Sequence, residues 1–287
     1  MNPNSIIDML MAGARNQQQP DRRDRSVLAL QYCADIAQRT GRTRKEIEVL
    51  ALEHDIIPER YLRNLNILSP ADQVGLLQSR ACIVGLGGLG GYVTETLARL
   101  GVGALTVVDG DCFDETNLNR QLFSSEHNLS QTKTAAAVER ILTINSALYV
   151  QDYNELMDTE NVARLLEQAD IAVDCLDNIH SRFVLQKAAK EAGIPMVSAA
   201  VAGFSGQVLT IFPEDPGLEQ VYGPPGPHAA DKGAETTLGN LGCTVSLVAS
   251  LQCTEVVKIL LKKDSDLRNQ LLIIDLSDYT FEKIHLI

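Results

Sequence analysis

This chain predicts an α/β fold built on a doubly wound, Rossmann-like and mainly parallel sheet, on three observations. A charge-free apolar run, Ala81–Val84, leads straight into glycines 85, 87, 88, 90 and 91, and a helical pattern follows to about Leu100. A second apolar run, Leu105–Val108, ends in Asp109, about twenty residues beyond the glycines. Strand and helix patterns then alternate as far as Ala199, which is the signature of strands joined by crossover helices.

The N-terminal part has a different texture. Ile6–Met11 is a short helical candidate, and Gln17–Arg25 reads as a polar, charged linker. Val27 to Ala37 suits a helix stopped by Gly41, and Thr43 with Glu46 forms a capping box before Ile47, Val49, Leu50 and Leu52. Residues 1–57 are therefore expected as a helical extension without chemistry of their own, and residues 58–287 as the functional domain. In the second part Pro70–Leu77 is helical, followed by the glycine strand and an irregular stretch, Cys112–Asn128. A helix is expected from Ser130 as N-cap to Asn145, a strand over Tyr149–Tyr153 and a helix over Asp158–Gln168. A buried strand over Ile171–Cys175, a helix over Ser181–Ala192 and a strand over Pro195–Ala199 come next. After Gln207–Phe212, the segment Pro213–Gly242 holds five of the ten prolines and is too long for an ordinary connection. It is either a functional loop or a disordered connector. The helix Thr244–Lys262 and the strands Leu271–Asp275 and Thr280–Leu286, expected as antiparallel, close the chain.

Composition narrows the function. A formal charge of −12 disfavours general nucleic-acid binding. No apolar run stands out as a membrane span of ~20 residues, and the first residues lack a signal pattern, so a cytoplasmic location is expected. The six cysteines form no C-x-x-C pair, which argues against a four-thiolate zinc site and a disulfide framework and leaves most of them as small core hydrophobes.

Gly85, Gly87 and Gly90 make the G-x-G-x-x-G spacing, with Gly88 between them. Such a turn brings backbone N–H groups to a phosphate at a helix N-terminus, and Asp109 takes the place of a carboxylate that binds ribose hydroxyls. The turn alone fits a dinucleotide or ATP. Four further features fall near the C-terminal ends of the strands: Asp111, Asn117-Leu-Asn-Arg-Gln121, Lys133 and Asp177-Asn178. Arg120 and Lys133 can place two positive charges on phosphates, Asn117 adds an amide donor, and Asp177 can hold Mg²⁺ together with phosphates. Taken singly, each cation also suits a solvated surface, and Asp177 and Asp111 suit turns. A dinucleotide oxidoreductase needs no such density of phosphate cations, whereas attack on an α-phosphate does.

Arg60-Tyr-Leu-Arg63, the glycine turn, Asp109-Gly-Asp111, Asn117–Gln121, Lys133, Asp174-Cys-Leu-Asp-Asn178 with Arg182, and Gly203-Phe-Ser-Gly-Gln207 stand in that order. This succession resembles the E1-like ThiF/MoeB/HesA family, bacterial relatives of ubiquitin-activating enzymes, over about residues 58–287. The resemblance implies a homodimer that binds Mg·ATP and adenylates the C-terminal Gly-Gly carboxylate of a ubiquitin-like sulfur carrier of the MoaD/ThiS type. It further implies that Asp109 holds the ribose, that Asn117, Arg120 and Lys133 hold the phosphates, and that Asp177 holds the Mg²⁺. Arg63 matches an arginine that such enzymes insert into the partner subunit's site. Many family members carry two zinc-binding C-x-x-C pairs, absent here, so no zinc is expected. Some use a cysteine in the crossover loop; Pro213–Gly242 has none, Thr236 and Thr237 lying near that place. Cys243, the nearest thiol, is expected as a packed core residue, and adenylation without a covalent thioester is the favoured reading. Tyr222–Pro227 could order over the substrate tail. Adenylation of a peptide or small carboxylic acid, an NAD-binding oxidoreductase and a non-catalytic adaptor are the alternatives.

Overall fold

The computed structural model describes residues 3–19, 22–224, 233 and 235–286. In chain order the elements are α1 (Pro3–Gly13), β1 (Arg15–Gln18), β2 (Asp24–Leu28), α2 (Leu30–Thr40), α3 (Arg44–Glu53), β3 (Ile56–Pro58), α4 (Pro70–Gln78), β4 (Arg80–Val84), α5 (Gly88–Leu100), β5 (Ala104–Val108) and α6 (Lys133–Ile144). They continue with β6 (Tyr149–Tyr153), α7 (Val162–Leu165), β7 (Ile171–Asp174), α8 (Ile179–Glu191), β8 (Met196–Ala202), β9 (Ser205–Ile211), α9 (Glu219–Tyr222), α10 (Glu235–Leu238), α11 (Gly242–Leu260), β10 (Gln270–Asp275) and β11 (Thr280–His285).

The main sheet has the order β11-β10-β9-β8-β7-β4-β5-β6. From β6 through β8 neighbours are parallel, and β9, β10 and β11 add antiparallel. The chain runs outward from β4 to β6 and then restarts at β7 on the other side of β4. That reversal makes the β4–β7 crevice a topological switch point, where open α/β sheets bind ligands.

Alternate side chains of each strand supply the two faces. Ala81 and Ile83, with Leu105, Val107 and Val173, pack under α4, α5, α6 and α11. Cys82 and Val84, with Val108 and Ala172, pack under α7 and α8. Gly242–Leu260 is long and apolar enough to cross a membrane by length and composition, contrary to the sequence reading that nothing stands out as a span. Its Val245, Val248, Ala249, Cys253 and Val256 are spent inside the sheet–helix core, which accounts for the apolar run.

The N-terminal region carries a three-stranded sheet besides its helices. β1 and β2 form an antiparallel hairpin, and β3 joins β2 in parallel. Of the expected linker Gln17–Arg25, the residues Gln17, Gln18, Asp24 and Arg25 are paired in this hairpin, and Val27 and Leu28 are strand, not helix. The reason is burial: three of the four residues of β1 are exposed, so no alternating apolar signal marks it. The stop at Gly41, with φ 72°, and the Thr43–Glu46 capping box stand as expected. Ile6, Leu10, Leu28, Cys33, Ile36, Ile47 and Ile56 form a small core here, while Val27, Leu52 and Ile57 face the main one. A polar joint adds to this contact. Tyr61 donates to Glu48 Oε2 (3.1 Å), Asn145 Nδ2 donates to the Tyr61 hydroxyl (2.9 Å), and Arg60 donates to Asn145.

Elsewhere the boundaries shift for local reasons. α6 starts after Thr132, because Ser130 adopts a left-handed backbone (φ 70°). α7 is shorter than expected: the Asp158 carboxylate accepts the N–H groups of Glu160 and Asn161 and fixes a turn in its place. Leu97, fully buried under the sheet, tests the main core. Leu97→Ala is expected to lower unfolding free energy by about 2–5 kcal/mol in a urea titration; a change below about 1 kcal/mol would contradict close packing there.

Candidate active site

A cavity of about 490 Å³ opens at the C-terminal ends of β4, β5, β7 and β8. Its floor is the glycine turn. Gly85 has φ 92°, and a Cβ there would sit 2.6 Å from the Cys175 carbonyl oxygen. The Gly85 N–H is spent on Val108 O (2.8 Å). A Cβ on Gly90 would collide with the Gly85 carbonyl, so Gly90 serves close packing of helix on turn and does not line the cavity. Gly87 and Gly88 do line it. Gly87 is the N-cap of α5 and offers no side-chain cap, leaving N–H groups of the first turn for an anion.

Asp109 follows β5 and is nearly buried. Its Oδ2 accepts from Leu86 N (2.7 Å) and its Oδ1 from Asp111 N (2.8 Å). The carboxylate therefore braces the turn at the same time as it faces the cavity. Lys133, 6% exposed in the first turn of α6, donates to Asp111 Oδ2 at 2.8 Å and lies 3.6 Å from Asp109 Oδ1. Burial raises the Asp109 carboxyl above the usual range, and Lys133 and the two backbone N–H groups pull it back.

Arg120 lines the cavity from the segment after a 3₁₀ turn, Glu115–Asn117, and donates to Thr116 O (3.0 Å) and Asn119 Oδ1 (2.8 Å). Asn117 does not line it. Its Oδ1 caps Asp114 N (3.1 Å), and its carbonyl accepts from Arg120 N and Gln121 N. The amide expected at the phosphates instead shapes the turn that presents its two neighbours. Asp177 stands exposed on the β7–α8 segment, where Asn178 Nδ2 reaches it at 3.4 Å; Asn178 in turn caps α8 through Ser181 N (2.8 Å). Arg63 is exposed and lies outside the residues lining this cavity.

The donor set suits Mg·ATP. Two cations and free helix N–H groups match a polyphosphate, and one rim carboxylate matches Mg²⁺, which takes one or two carboxylates and completes its shell from phosphates and water. Among the described residues no group of three or more His, Cys, Asp or Glu forms a metal site.

Sequence reasoning missed several lining residues. Gln121, with an Oε1 that is buried and unpaired, and Arg182 belonged to the quoted motifs without a role. Leu156, Met157 and Asn240 come from loops whose approach to the cavity no local pattern announces, and Thr236 was noted only for its place along the crossover segment. Thr236 lies in the crossover segment, at α10; residues 225–232 and 234, including Pro225–Pro227 of the suggested cover, fall outside the described residues. Cys243 corrects an expectation: it is exposed in the first turn of α11, not packed, since the buried stripe of that helix begins at Thr244 and Val245. Cys112 is exposed as well. Burial pushes the thiols of Cys33, Cys82 and Cys253 up to about 12.

A family model described as the ThiF family matches residues 61–286. The SAMP-activating enzyme E1 of Haloferax volcanii is 33% identical over 231 residues, covering 79% of this chain and 84% of its own. The sulfur carrier protein adenylyltransferase of Thermus thermophilus is 31% identical over 237 residues, with 79% and 86% covered. The adenylyltransferase and sulfurtransferase MOCS3 of Arabidopsis thaliana is 32% identical over 231 residues, and the chain spans about half its length (49%). Among solved structures, E. coli MccB with ATP superposes with a TM-score of 0.67 at 21% identity, covering 88% of this chain and 82% of that one, which is a likeness of fold.

Removing the Lys133 charge leaves Asp109 buried beside Asp111. Lys133→Met is expected to cost about 1–3 kcal/mol of stability near neutral pH. Asp109 is raised in the folded state, so protonation stabilises the fold at low pH and this help is lost as pH rises through the folded titration. The deficit should therefore shrink as pH falls toward the unfolded carboxyl value of about 4, measured by urea unfolding across pH. A deficit that grows on acidification would refute this account of the cluster.

Proposed function

The chain belongs to the ThiF family, and from that premise we propose that it is an ATP-dependent adenylyltransferase acting on the C-terminal Gly-Gly carboxylate of a small ubiquitin-like sulfur carrier. The observation that carries this reading is a single cavity at the switch point. It gathers a helix N-terminus, Arg120, Lys133 and the carboxylates of Asp109 and Asp177 around one space.

The reaction needs little proton chemistry. A carrier carboxylate oxygen bonds to the α-phosphorus of ATP, the bond from that phosphorus to the bridging pyrophosphate oxygen breaks, and acyl-adenylate and pyrophosphate leave. The attacking group is already ionised, so no general base is required. The barrier is an anion approaching a polyanion, and fixed positive groups in a site screened from water lower it more than they would in solution. Lys133 is held in place before substrate arrives by the paired carboxylates, and Arg120 by the Thr116 carbonyl and the Asn119 side chain. Bound near Asp177, Mg²⁺ would neutralise phosphate charge. Asp109 suits the ribose hydroxyls, with the apolar Leu156 and Met157 beside it for a base.

The homodimer and the cytoplasmic setting belong to this proposal. In it Arg63, exposed and away from its own chain's cavity, serves the partner subunit's site. No cysteine is assigned to the step. Cys175, in the cavity wall, is buried with its thiol raised by desolvation.

Arg120→Ala and Lys133→Ala should each lower carrier-dependent ATP–pyrophosphate exchange by at least about 10²-fold while the circular dichroism spectrum is retained. Undiminished exchange in both variants would end the assignment. Cys243→Ala, by contrast, should leave exchange and thiocarboxylate output near wild type. Loss of either in a folded protein would bring that exposed thiol into the reaction.

A further inference from the structure

The segment that carries Asp177 is gripped from below by one buried side chain. Arg182 lies in α8 and is 5% exposed. Its Nη1 donates to Asp174 Oδ2 (3.0 Å) and Ala199 O (2.7 Å) and meets Ser198 Oγ (3.3 Å), and its Nη2 donates to the Leu176 carbonyl. Asp174 is fully buried and saturated in turn: Oδ1 accepts from Leu176 N (3.0 Å) and Oδ2 from Ser198 Oγ (2.6 Å). Gln252 of α11 donates to the carbonyls of Asp174 (2.8 Å) and Val197 (3.0 Å). Both backbone polar atoms of Leu176, the residue before Asp177, are thereby fixed to one buried ion pair. The Cys175 carbonyl, one residue earlier, occupies the space that the missing side chain of Gly85 leaves.

A buried ion pair with such partners adds little net stability over an apolar pair of equal volume. Its planar fork supplies orientation instead, because it meets several acceptors at once in a rigid geometry that a lysine cannot reproduce. We propose that Arg182 is a positioning residue of the nucleotide site. It sets the Leu176 backbone so that the Asp177 carboxylate stands at the cavity rim where the metal of Mg·ATP is held, and it acts on bound nucleotide through Asp177. This rests on the adenylation reading and assigns a role that the phosphate-facing cations do not fill.

Affinity for the non-hydrolysable analogue α,β-methylene-ATP, by calorimetry with Mg²⁺ and with EDTA, tests the proposal in the full chain. Arg182→Lys should weaken binding by about tenfold in Mg²⁺, as loss of an outer partner of a metal ligand does, and far less in EDTA. Asp177→Asn should do the same. The double variant should bind no worse than Asp177→Asn alone, since residues acting through one group are not additive. Additive losses, or an equal loss in EDTA, would mean that Arg182 meets the phosphates directly and would overturn the inference. Ser198→Ala removes one hydrogen bond of the cluster at little cost in volume and should give a smaller Mg²⁺-dependent loss that vanishes in the Asp177→Asn background. If Arg182→Lys does not fold, this variant decides, and persistence of its loss in that background overturns the proposal. Failure of the wild-type chain to bind Mg²⁺ and the analogue would overturn the adenylation reading itself.

Discussion

The arrangement depends on one close approach of backbone to backbone. The turn after β4 passes against the Cys175 carbonyl, with no room for a side chain at Gly85, and α5 then closes on the same turn through Gly90. That contact aims the first N–H groups of α5 into the crevice between β4 and β7. It also makes the turn and the Asp177 segment a single unit. The parallel strands fix everything else by register, since β5 pairs with β4 and delivers Asp109 within reach of Leu86 N.

Charge is handled locally. The chain is acidic as a whole, yet Lys133 sits 6% exposed among two carboxylates. Such a lysine is tolerable away from water only when paired. Asp109 and Asp111 therefore do two jobs. They hold the ammonium group beside the glycine turn, and they spare the fold a lone cation at the end of β5.

Much of this was legible in the residues, and the rest was hidden for identifiable reasons. Glycine spacing, the acid after β5 and the lysine opening α6 are local signals tied to backbone geometry, and the structure brings them together. Asn117 was legible as a polar residue in the right segment, but not which way its amide turns; the need to satisfy Asp114 N turns it inward. β1 was invisible because an exposed edge strand carries no apolar alternation. Cys243 illustrates a third limit, since an apolar run says that a helix is buried without saying which of its faces begins inside. Arg182 stands in one motif with Asp174 and Leu176, but its contacts with Ser198 and Ala199 of β8 are ones that no local pattern announces.

The joint between Glu48, Tyr61 and Asn145 has a consequence for how such a chain can change over evolutionary time. Asn145 ends the helix that Lys133 begins, and its Nδ2 also meets the Ala98 carbonyl near the end of α5 (3.2 Å). The helix α3 of the N-terminal region is thus moored through Tyr61 to the far ends of both helices whose near ends face the cavity, and a cut after residue 57 would fall within β3. A modular cassette, swapped freely between relatives, would show a thin and interchangeable seam. Here the seam is a buried carboxylate, a phenol and an amide linked in a chain of hydrogen bonds, with Arg60 3.6 Å from the other Glu48 oxygen, so a change of one of these residues calls for an answering change across the seam.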